Sequence, residues 1–181
     1  VAVKIVEDVI NNFAKQNSIS TTDLENMFSK LVPISGDSAE VKGLFYEIDK
    51  KGKAKTIFNK DMAIDVMPKE FARAYEILIK ESSLLSPAME DMYKAFSKWL
   101  GAKPYKWTED NMHNFTQGFI RYLFEGVNRD GIAGQIYKKM AENFKDIWTK
   151  CVNLDMPDRL KDLYYSVLIE DKPNKVFTLL S

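Results

Sequence analysis

The sequence predicts an all-α, single-domain, irregular bundle of about eight or nine amphipathic helices, residues 1–181 sharing one core. Three observations lead there. Apolar residues recur at spacings of three and four along nearly the whole chain. Most of these stripes open on a Ser, Thr or Asp cap and close on Gly or Pro. No stretch shows a convincing strand alternation, and no strict repeat or low-complexity segment marks a linker.

The first helix carries Ile5, Val6, Val9, Ile10 and Phe13. The second opens at Thr22, with Glu25 at capping-box spacing, and buries Leu24, Met27, Phe28 and Leu31 before Pro33 and Gly36. A third is expected from Asp37 or Ser38 through Val41, Leu44, Phe45 and Ile48. The lysine-rich stretch Lys50–Lys55 reads as a solvated loop and a candidate hinge. A short helix over 59–67 follows, and Pro68 then suits the first turn of a fifth helix through Phe71, Tyr75, Leu78 and Ile79.

Ser86-Pro87 is a cap followed by a ring preset for helix; Met89, Met92, Tyr93, Phe96, Trp99 and Leu100 follow before Gly101. Thr108 caps the next helix, with Met112, Phe115, Phe119, Ile120 and Leu123 inward and a stop near Gly126. Asp130 caps a long helix with Ile132, Ile136, Tyr137, Met140, Phe144, Ile147 and Trp148. The last starts at Asp155 and uses Leu160, Leu163, Tyr164, Val167 and Leu168, with Lys172-Pro173 ending it. The apolar tail Val176–Leu180 is expected to pack back or to cover a partner's surface, as in a protein complex or a homodimer.

Composition excludes several classes. Twenty-six basic and twenty-six acidic residues balance, so there is no basic surplus for nucleic acid. No run of about 18 apolar residues could span a bilayer. Cys151 is the single cysteine, which leaves no intrachain disulfide. The chain opens on Val1 rather than Met and is read as a processed product from which any signal peptide has gone. Asn114-Phe115-Thr116 fits the N-glycosylation pattern and points outward from the cell.

Catalytic chemistry finds no motif. His113 is the only histidine, so a structural zinc site lacks ligands, and no segment carries the repeated oxygens of an EF-hand. His113 reads as an exposed histidine at a polar helix start. Cys151 falls near a helix C-terminus, where the dipole disfavours a thiolate. Gly131-Ile132-Ala133-Gly134 completes neither a Rossmann nor a P-loop pattern. Glu90-Asp91 and Glu109-Asp110 sit in first turns, where they complement the helix dipole. The expectation is a non-enzymatic protein with no metal and no cofactor.

Aromatics make up 12% of the chain, rich for helices, and two readings compete for them. Rings and methionines at helical spacing fill an ordinary core, or they wall an apolar cavity. Burial logic nominates Phe45, Tyr75, Phe96, Phe119, Leu123, Tyr137 and Phe144 as cavity-lining candidates. Each methylene of a lipid buried there would gain about 0.8 kcal/mol, with one Lys or Arg at the mouth for a carboxylate.

The order of helices and caps adds a resemblance. Asp37-Ser38-Ala39-Glu40-Val41-Lys42-Gly43-Leu44 resembles the Thr-Pro-Glu-Asp-Lys helix opening of the nematode fatty-acid- and retinol-binding proteins, with Ala39 where that family has proline. Leu85-Ser86-Pro87-Ala88-Met89-Glu90 resembles its second opening, of the Leu-Ser/Asn-Pro-Glu type. A long helix, a loop, Trp107-Thr108-Glu109-Asp110-Asn111-Met112 and two further helices follow in similar order, as far as Phe144. The resemblance implies a secreted helical carrier of fatty acids, and of retinol, in an internal cavity. It carries over no ligand-contact residue.

Overall fold

The computed structural model describes residues 2–20, 22–23, 41–43, 46–48, 54–56, 64–127, 130–151 and 156–174. Among them are six α-helices: α1 (Ala2–Asn17), α2 (Val66–Ser82), α3 (Pro87–Leu100), α4 (Glu109–Ile120), α5 (Gly131–Cys151) and α6 (Asp158–Leu168). A π-helical turn, Arg121–Glu125, prolongs α4. Three short strands, β1 (Val41–Gly43), β2 (Tyr46–Ile48) and β3 (Ala54–Thr56), pair antiparallel in that order. The protein is a helical bundle carrying one small meander.

The local chemistry explains the helix ends. Ser86 caps α3 by accepting the Met89 N–H at 3.2 Å, and Pro87 supplies the first turn. Thr108 and Asn111 exchange side-chain-to-backbone bonds of 3.1 and 2.9 Å, a capping box closed by Asn. Pro68 lies in the first turn of α2, where its missing N–H costs nothing.

Four sequence expectations are corrected. The helical count of eight or nine becomes six among the described residues. The third expected helix is a hairpin instead, with Val41 paired to Ile48 and Gly43 to Tyr46. Spacing of three and four fits either element over so short a run, while Gly43 disfavours a helix and the β-branched and aromatic residues favour the strand. Part of the expected lysine loop is β3, whose Lys55 pairs in register with Glu47, itself opposite Lys42. The last helix starts at Asp158, because Pro157 holds an extended ψ of 140° and cannot be helical interior. Of the second expected helix, only Thr22 and Asp23 fall among the described residues; of the expected short helix over 59–67, residues 59–63 lie outside them, Ile64 and Asp65 form a turn, and Val66 and Met67 open α2.

Within the bundle α1 lies along α5, α2 along α4, α3 against both α2 and α5, and α6 against the π turn. Their shared core is built largely of rings. Phe71 meets Tyr75 at 5.8 Å, Phe119 at 5.8 Å and Phe144 at 5.3 Å. Edge-to-face pairs such as Phe71–Phe144 are worth about 0.5–1.5 kcal/mol beyond the area they bury. One polar seam joins α1 to α5: buried Asn143 donates to Val9 O at 3.1 Å and accepts from Asn12 Nδ2 at 3.3 Å. Beside it Lys150 Nζ is 3.0 Å from Asp146 and 3.1 Å from Asp8; the Asp8 contact is an ion pair by distance, without hydrogen-bond alignment.

The π turn changes which side chains are buried. A π turn inserts one residue into the helical phase, and each residue rotates the face by about 100°. The expected inward residue Leu123 is therefore only half-buried, and Phe124 is fully buried against Tyr164 at 5.4 Å. The Tyr164 hydroxyl in turn donates to Ile64 O.

Candidate functional site

Two open clefts are lined by described residues. The first, of about 390 Å³, lies beside the π turn. Its apolar wall comes from Tyr122, Leu123 and Phe124 of that turn, Ala141 of α5, and Val167 and Leu168 of α6. Lys138, Glu142 and Lys145 approach from α5, and a strap of Asp171, Lys172 and Pro173 approaches from beyond α6. Residues 138, 141, 142 and 145 share one helix face because they are spaced by three and four.

The strap is held by its backbone. Lys172 N donates to Ser166 O at 3.0 Å, and Asn174 N to Phe124 O at 2.6 Å. The second bond satisfies a carbonyl at the end of the π turn, where regular helical donors run out. Gly126 ends the turn at φ +67°, a left-handed conformation, and its open side faces Pro173 Cγ, 3.7 Å from where a Cβ would stand. Asp171 also has positive φ, at 53°, which Asp tolerates better than most residues.

The lining holds three lysines against two carboxylates. Lys172 is engaged by Glu170 at 3.0 Å. Lys138, Lys145 and Glu142 form no ion pair among the described residues.

The second cleft, of about 620 Å³, separates α2 from α4. Lys69, Arg73, Glu76 and Ile77 face Glu109, Met112, His113 and Thr116. Six of its eight lining residues are polar or charged, and Lys69 is already paired with Asp65 at 2.7 Å. Burial pushes the Glu76 carboxyl above the usual carboxylate range, Lys80 opposing this and Glu81 adding to it. His113 lies exposed on its rim.

The seven nominated residues divide. Phe45 lies outside the described residues, as does the tail Val176–Leu180. Tyr75, Phe96, Phe119, Tyr137 and Phe144 are brought together, each at most 1% exposed. They pack ring on ring, Phe96 to Tyr137 at 5.8 Å and Phe119 to Phe144 at 6.0 Å, and line neither cleft. Leu123 alone of the six described lines one.

Sequence reasoning missed Lys138, Lys145 and the strap, because nothing in a single chain distinguishes a cleft lysine from any other exposed one. The π turn did leave a signal. Phe119, Ile120, Tyr122, Leu123 and Phe124 crowd five large apolar side chains into six positions, wider than one α-helical stripe can bury.

Among the described residues no group of three or more His, Cys, Asp or Glu converges as a metal ion would require, and no helix is long and apolar enough to cross a membrane. Asn114 is exposed on α4, and Cys151 is the last residue of α5. No family model, curated protein or solved structure matches the chain.

Proposed function

We propose that the protein is a non-enzymatic, secreted carrier of small hydrophobic ligands, fatty acids and retinol among them, and that the ligand occupies the cleft beside the π turn. The observation that carries this reading is the cleft itself, an apolar wall with cationic side chains at its edge. Its volume falls within the usual range of small-ligand pockets, toward the low end that suits a single chain. π turns recur at functional sites. The resemblance to the fatty-acid- and retinol-binding proteins points to the same ligand class through its Ser86-Pro87 and Trp107–Met112 segments, while its first helix opening falls where β1 stands.

The test is native solvent extraction of the purified protein and mass spectrometry of the extract, followed by saturable binding of a fluorescent fatty acid to delipidated protein. A stoichiometric lipid, and loss of binding when Ala141→Trp fills the cleft, are expected. A blank extract, repeated after incubation with oleate and with retinol, overturns the reading.

A second reading, a helical protein-interaction module or homodimer, is favoured by Leu84 and Leu85, which stand 71% and 41% exposed between α2 and α3. A concentration-dependent dimer that Leu84→Ser/Leu85→Ser dissolves would support it; a monomer at all concentrations would remove the homodimer.

A further inference from the structure

We propose that the cleft selects a single-chain amphipath with an anionic carboxylate head, and that Lys138 and Lys145 of α5 hold that head. This rests on the function proposed above and sharpens it, because it ranks a fatty acid ahead of retinol, whose alcohol head carries no charge.

The argument is one of charge and reach. Of the three lysines at the cleft, Lys172 already has Glu170 at 3.0 Å. Lys138 and Lys145 keep their ammonium groups free of ion pairs among the described residues. They sit two turns apart on the helix face that also presents Ala141 to the cleft. The rise of about 1.5 Å per residue puts their Cα atoms roughly 10 Å apart, which two long flexible side chains can span toward one carboxylate between them. Ala141, midway, leaves room for that approach and continues into the apolar wall of Leu123 and Leu168. Glu142 stands on the same face and leaves Lys138 and Lys145 with a net charge of one, which suits a monoanion.

The occupant is a free monomeric carboxylate and not a membrane surface. A cleft of about 390 Å³ bordered by the strap Asp171–Pro173 has room for one chain, whereas a bilayer meets a broad basic face, and the chain as a whole has no basic surplus.

The experiment compares palmitate with hexadecanol, the same chain without the charge, by displacement of a fluorescent fatty acid from the full chain. Lys138→Gln/Lys145→Gln is the variant; both residues are exposed, and circular dichroism confirms its fold. Palmitate is expected to bind the unaltered protein more tightly than hexadecanol, and to weaken about fivefold to tenfold in the variant, with hexadecanol unchanged. Rising salt should weaken palmitate alone. Equal affinities for acid and alcohol, or equal losses in the variant, overturn the lysine assignment and leave the carrier reading standing. Binding of neither ligand to the unaltered protein overturns both. Lysine-dependent binding to phosphatidylserine vesicles without binding of monomeric palmitate overturns the proposal in favour of a membrane surface.

Discussion

Gly118→Ala is the perturbation whose sign depends most on the packing of this fold. In an exposed helix interior the change stabilises by about 1 kcal/mol, because alanine is the better helix former. Here α4 crosses Tyr137 of α5 so closely that the new Cβ would overlap the tyrosine Oη and lie 2.9 Å from its Cζ. The ring has nowhere to retreat. It is fully buried, stacks on Phe115 at 6.0 Å and Phe119 at 6.4 Å, and meets the edges of Phe96 and Trp99. Its hydroxyl donates to Phe115 O at 3.0 Å, one turn before Gly118. Overpacking a filled core costs about 1–3 kcal/mol, and displacing a buried hydroxyl from its acceptor about 1–3 more. Set against the propensity gain, the net loss is about 1–5 kcal/mol. Urea denaturation should show a lower midpoint at unchanged slope. Tyr137→Phe removes the overlapping oxygen, so Gly118→Ala should cost less in that background than alone, a coupling of about 1–3 kcal/mol. A Gly118→Ala variant more stable than the unaltered protein, or strictly additive costs, would refute the close approach.

Glu76→Gln should stabilise the protein at pH 7. The folded state holds this carboxyl above its ordinary range, so the charged form carries a penalty that builds as pH rises from the ordinary carboxylate value to the raised folded one; the variant's advantage should shrink as pH falls through that raised value and be gone below about 4.5, by urea midpoints at each pH. Gly126→Ala should cost about 1–2 kcal/mol from its left-handed backbone alone, since the nearest atom to a Cβ is an ordinary 3.7 Å away, and Gly126→Asn should cost less. Asn143→Leu should cost about 1–3 kcal/mol by removing the buried amide's bonds to Val9 O and to Asn12, whose own amide keeps Asp146 at 2.8 Å, and a midpoint within 0.5 kcal/mol of the unaltered value would show that water replaces it.

What was legible in one chain was whatever depends on neighbours three or four residues away. Ser86-Pro87, the Thr108 cap and the stripes of α2, α3 and α5 are local, because capping and helical phase are settled within a turn or two. The same stripes located the ring core, and Tyr75, Phe96, Phe119, Tyr137 and Phe144 do converge. The 41–48 region fell outside this rule, since a hairpin is decided by pairing across strands, and its signal in the sequence is only the register of Lys42, Glu47 and Lys55.

Tertiary structure alone decided the rest. Whether Leu123 or Phe124 enters the core depends on a π turn, which forms where Phe124 can reach Tyr164 on a helix forty residues away. That rotation, the return of the strap to Phe124 O, and the meeting of Lys138 and Lys145 with Val167 and Leu168 create the cleft. Each joins segments distant in the chain, and no local propensity encodes such a meeting. The amino-acid sequence by itself determined that this chain forms helices rich in rings and left core against cavity open; only the packing of the helices set those rings against one another and decided where an apolar surface with free lysines begins.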